Sequence, residues 1–113
     1  MRLPGAEKAV VDGAKIRDYL LSESHPVGRF KAPAFKKIGY SIEAWEMLAS
    51  DLLRLSTENE AVATGSNAYG QKYEVRGTLK GPTGEGLGLA TVWIVLNDED
   101  FPRFVTAYPR PIS

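Results

Sequence analysis

The residues best equipped for chemistry fall in one stretch, "SHPVGRFKAPAFKK", Ser24 to Lys37. It holds the chain's single histidine, His25, followed by Arg29, Lys31, Lys36 and Lys37, with no acid between His25 and Lys37. A basic loop leading into a helix suits phosphate contact, through its charges and the free N–H groups of a helix start. An imidazole is the side chain whose ordinary pKa suits proton transfer near neutrality. At the other end of the chain "RFVTAY" offers two hydroxyls, Thr106 and Tyr108. Together these groups can assemble metal-independent RNA cleavage, in which the ribose 2′-oxygen attacks the adjacent phosphate and a donor protonates the leaving 5′-oxygen. In that scheme His25 is base or acid, Arg29 and Lys31 clamp the phosphate, and Thr106 and Tyr108 donate hydroxyls. The plainer reading is a surface histidine in a proline-containing loop, with the lysines on a solvated helix face.

Bulk composition narrows the classes. The 113 residues are 43% hydrophobic and 25% charged, the balance of a folded globular domain. Fourteen Lys and Arg against fourteen Asp and Glu leave a formal net charge of zero. Binding to nucleic acid therefore needs a local basic patch rather than a general field. Without cysteine there is neither a disulfide nor thiolate chemistry, and one histidine makes a zinc site a poor expectation. We expect no metal, no cofactor and no membrane span, and a cytoplasmic location.

The elements that must position these residues follow from periodicity. We expect one domain over 1–113: a lead-in over 1–11, a helical part over 12–56 and a sheet over 59–109. Asp12 caps a first helix that carries Ile16, Tyr19 and Leu20 at helical spacing. A short helix covers "FKAPAFKKI", with Pro33 in its first turn and Gly39 after its end. Ser41 caps the clearest helix, whose apolar stripe is Ile42, Trp45, Leu48, Ala49, Leu52 and Leu55. The period then falls to two in "QKYEVRGTLKG"; "GPTGEG" reads as a turn and "LGLATVWIVL" as a central strand. The fold class is α+β, with N-terminal helices packed on one face of a three- to four-stranded antiparallel meander.

The more apolar sheet face must lie under the helices. That assigns Tyr73, Val75 and Leu79, then Val92, Ile94 and Leu96, then Val105 and Ala107 to the core. The open face then carries Arg76, Thr91 and Trp93 beside Phe104, Thr106 and Tyr108. Aromatic rings, hydroxyls and a guanidinium can stack bases and hold phosphates, so Arg29, Arg76, Thr91 and Trp93 are the candidate substrate-binding set. The same residue types also simply favour strands, and a slip of one residue would invert the faces.

The joint pattern "HPVGRFKA", "YEVRGTLKGPTGEG" and "TVWIVLNDEDFPRFVTAYP" resembles a bacterial family of small uncharacterised domains, over roughly Leu3 to Pro109. Its members occur alone or at the ends of longer proteins, among them candidate polymorphic and phage-linked toxins. More weakly, the order of helices then meander is similar to the barnase-like, colicin-like and RelE ribonuclease toxins. That resemblance implies roles for His25, Lys31, Thr106 and Tyr108. Unlike many of those toxins, this chain is neutral and has no second histidine. Two kinds of partner follow. An RNA-cleaving toxin module meets RNA, while a non-catalytic immunity, antitoxin or accessory module grips a protein partner or its parent polypeptide. A homo-oligomer that buries Trp93, Phe104 and Tyr108 between subunits is a third arrangement.

Overall fold

The change of period near residue 60 is the hinge of the architecture. A computed structural model describes residues 1–110. The first helix, α1 (Gly13–Lys15), runs directly into a π turn over Ile16–Leu20. A 3-10 turn, Gly28–Phe30, leads into α2 (Ala32–Lys37). The long helix is α3 (Trp45–Glu58). Four strands follow: β1 (Ala61–Ser66), β2 (Gly70–Lys80), β3 (Gly86–Leu96) and β4 (Pro102–Pro109). They form one antiparallel sheet in the order β1-β2-β3-β4, so the fold is α+β with a four-stranded meander.

Local signals account for these boundaries. Asp12 accepts the N–H of Ala14 at 3.0 Å, as an N-cap should. Ser41 accepts the N–H of Ala44 at 3.3 Å, yet regular helix begins only at Trp45, so Ile42 is left outside it. The β2–β3 turn depends on Gly84, whose φ of 90° lies in the region that favours glycine. Val10 continues the sheet beyond β4, pairing with it in parallel at Arg103. Its N–H and C=O bond Pro102 and Phe104 at 2.9 Å each, covering part of an otherwise open edge.

One apolar cluster joins the two halves. Ile16 and Leu20 of the π turn, Phe35 of α2 and Leu48, Leu52 and Leu55 of α3 meet Val75, Leu79, Leu89, Trp93, Phe104 and Ala107 of the sheet. The face assignment expected for β2 matches this core: Val75 and Leu79 are buried. That of β3 is reversed. Tyr73 pairs with Trp93 and Val75 with Thr91, and paired residues share a face. Trp93 is therefore fully buried at 0% exposure, and Val92 and Ile94 lie on the other side. In β4 the alternation breaks at a bulge: Phe104 faces Trp93 and Thr106 faces Val92, leaving Val105 as the extra residue. The bulge turns both Phe104 and Ala107 into the core.

Candidate active site at the helix–sheet boundary

The site is built by the irregular turn that follows α1. In the π turn the N–H of Leu21 bonds the C=O of Ile16 at 2.9 Å. Such widened turns recur at functional sites because they re-aim a side chain without breaking the helix. Here Ile16 and Leu20 stay in the core while Tyr19, between them, is left half-buried at the domain surface. The loop after the turn is held against it by a close backbone approach. A Cβ on Gly28 would stand 1.8 Å from the carbonyl oxygen of Tyr19, so only glycine fits there. The same approach carries Lys31, three residues on, over the Tyr19 ring, 4.9 Å from its centroid.

Three polar groups converge as a result. The Lys31 ammonium donates to the Tyr19 hydroxyl at 2.6 Å and to the Thr106 hydroxyl at 2.8 Å, and the two hydroxyls lie 2.8 Å apart. All three residues are half-buried, and the bonds between them are partly buried. Lys15 adds a second ammonium 6.0 Å from the Tyr19 ring centroid. Burial alone would raise the phenol of Tyr19. The hydrogen bonds from Lys31 and Thr106 and the charges of Lys31 and Lys15 outweigh it and hold the phenol below its ordinary value. The cluster thus joins a cation, a neutral hydroxyl and a phenol held below its ordinary value in one hydrogen-bonded triangle.

His25 stands beside this triangle, its ring edge-on to Tyr19 with centroids 4.9 Å apart. Its Nδ1 accepts the N–H groups of Val27 and Gly28, both at 3.0 Å. The backbone of His25 is fixed in turn by Ser22, whose hydroxyl accepts the N–H of Ser24 and of His25. With Nδ1 committed to two donors, the neutral ring carries its proton on Nε2. In this geometry His25 orders the loop and can present an N–H.

The remaining expected site residues make other contacts. Tyr108, 39% exposed, is bonded to the Glu74 carboxylate at 3.2 Å on the open sheet face. What burial it has, together with that carboxylate, holds its phenol above the ordinary value, the reverse of Tyr19. Arg76 also pairs with Glu74, at 3.1 Å. Thr91 and Trp93 are corrected from the open face to the core. The Thr91 hydroxyl donates to the C=O of Val75 and accepts from the Trp93 indole N–H, both at 2.8 Å, which leaves neither group free for a ligand. Trp93 and Phe104 are covered by the chain's own core, with ring centroids 5.3 Å apart, so they supply no surface to a second subunit. Arg29 is exposed, its guanidinium 4.8 Å from the centroid of the Phe30 ring. Tyr19 was hidden in the sequence because its spacing from Ile16 and Leu20 reads as one more position of a helical stripe. Among the described residues no three His, Asp or Glu side chains are grouped to hold a metal ion.

Residues 2–111 match the family described as a domain of unknown function, DUF6883. The chain belongs to that family. In three dimensions this DUF6883 domain is similar to a chain of a contact-dependent growth inhibition toxin–immunity protein complex from Klebsiella pneumoniae 342. The likeness has a TM-score of 0.70 at 26% identity, and covers 89% of this chain and 99% of the other. No curated protein matches the chain significantly. Among the described residues of this DUF6883 domain, no helix is long and apolar enough to cross a membrane.

Proposed function

We propose that this domain is a toxin module that cleaves RNA without a metal, through the Tyr19–Lys31–Thr106 cluster. The observation that carries the reading is the Lys31 ammonium, 2.6 Å from the half-buried Tyr19 hydroxyl, which together with Thr106 and Lys15 holds that phenol below its ordinary value. Similarity to a chain of a toxin–immunity complex supports the toxin context and a protein partner for this chain.

The roles follow from the chemistry of each group. Attack of the ribose 2′-oxygen on the adjacent phosphorus adds negative charge to the non-bridging oxygens, and the Lys31 ammonium stabilises it. The 2′-hydroxyl proton passes to solvent. As the P–O5′ bond breaks, the Tyr19 phenol donates its proton to the departing 5′-oxygen. A phenol is in its protonated form at neutral pH, and lowering its pKa makes it a better donor. The phenolate left behind remains beside Lys31, which stabilises it. Thr106 fixes the Tyr19 and Lys31 heads relative to each other, and the Nε2–H of His25 is a second donor for the phosphate. RNA as substrate places this activity in the cytoplasm of the cell it acts on.

Pure protein in chelator should therefore cut RNA and leave a 2′,3′-cyclic phosphate on the upstream fragment. Folded protein at large excess that cuts no RNA would refute the reading, and would leave the domain as a binding module for a protein partner. Cuts that leave 3′-hydroxyl ends would refute the 2′-oxygen attack.

A further inference from the structure

One apolar side chain, adjacent in sequence to Lys31, is left largely exposed. Phe30 is 74% exposed, the largest exposure among the described large hydrophobic residues. It closes the 3-10 turn whose next residue is Lys31, so its backbone is one Cα step, about 3.8 Å, from that of the lysine proposed to hold the phosphate. The Arg29 guanidinium lies against the ring at 4.8 Å from its centroid. With one face under a cation and the side chain three-quarters exposed, the other face of the ring is open to solvent. Val27, on the same loop, is also exposed. Isolated exposed hydrophobics are ordinary; an exposed aromatic stiffened by arginine beside a phosphate-binding cation is what single-stranded nucleic acid uses as a platform.

We infer that Phe30, backed by Arg29, is a stacking platform for the nucleobase next to the scissile phosphate of single-stranded RNA. The inference rests on the proposed function and names how its substrate is held. A strand whose base stacks on the open face of Phe30 is expected to run past Lys31, the next residue, so that stacking and charge act on neighbouring parts of one strand. Duplex RNA keeps its bases stacked on each other and cannot occupy the platform. The ring has no hydrogen-bonding group, so it accepts any base and prefers single-stranded segments over any particular sequence.

The test uses the whole domain and two labelled RNA heptamers, both fully 2′-O-methylated so that no 2′-hydroxyl is present to attack. One carries all its bases and the other has abasic central positions; binding is read by fluorescence anisotropy. Wild type should bind the base-bearing strand about tenfold more tightly than the abasic one. Phe30→Ala should abolish that preference while leaving binding to the abasic strand unchanged, and Phe30→Trp should retain it. Equal binding of both strands by wild type would overturn the inference. So would a Phe30→Ala variant that keeps the preference, which would leave the patch to a protein partner. Cleavage by wild type is measured separately. Cutting without a Phe30-dependent preference refutes the platform alone, and the preference without cutting refutes the catalytic reading alone.

Discussion

Two tyrosines carry opposite environments. Tyr19 is pressed toward ionisation by Lys31 and Lys15 against the effect of its burial, and Tyr108 is held back from it by its partial burial and by Glu74. Difference titration of phenolate absorbance, wild type minus Tyr19→Phe, should show one tyrosine ionising below the ordinary phenol value of about 10. Lys31→Ala should move that midpoint upward; an unchanged midpoint would show that the ammonium does not govern the phenol. The sign for stability follows from linkage. Because the folded value of Tyr19 is depressed, its ionisation favours the folded state above that value, and the contribution vanishes as pH falls through it. Tyr108, whose value is raised, contributes below the ordinary phenol value and loses that contribution as pH climbs through its own. The sequence marked Lys31 and Thr106 through residue type and charge. It could not mark Tyr19, because a phenol at helical spacing from two core residues looks like a third.

At the scale of elements, the π turn and the loop from Ser22 to Lys31 act as one unit, pinned where Gly28 meets the Tyr19 carbonyl. Gly28→Ala should force the two apart. We expect about 1–3 kcal/mol of destabilisation from the overlap, seen as a fall in thermal midpoint of at least about 4 °C, together with loss of the low phenol midpoint. A Gly28→Ala protein with unchanged stability would contradict this account of the loop. The helices and the meander were legible from hydrophobic period and turn residues, since β2 alternates cleanly between charge and apolar groups. The faces of β3 were not. With Leu89, Thr91 and Trp93 on one side and Ala90, Val92 and Ile94 on the other, both faces are apolar enough to bury. Packing volume decided the matter: the larger Trp93 entered the core with its indole N–H bonded to Thr91. The β4 bulge was equally hidden, because one inserted residue leaves no mark in an alternating pattern.

The whole molecule is electrically balanced, and this shapes how it meets RNA. A net charge of zero gives no long-range steering, so attraction must come from a few local cations: Lys15 and Lys31 at the cluster, with Arg29 and Lys37 of the same basic stretch. Lys36 is already bonded to Glu23 at 2.7 Å. For four phosphate contacts on a single strand, log affinity should fall against log salt with a slope of no more than about three. A much steeper slope would mean that the strand runs across some other surface. Beneath the site, the core depends on α3 seated on the sheet, and Leu52 is wholly buried at their junction. Leu52→Ala should cost about 2–5 kcal/mol, measured by denaturant unfolding; a loss under 1 kcal/mol would place the junction elsewhere. The most direct test of the central claim sets the two phenols against each other: single-turnover cleavage of one RNA by wild type, Tyr19→Phe and Tyr108→Phe, each shown to be folded. The account predicts that Tyr19→Phe slows cleavage by about 10²–10⁴-fold while Tyr108→Phe stays near wild type. Full activity in Tyr19→Phe, or a loss confined to Tyr108→Phe, would contradict it.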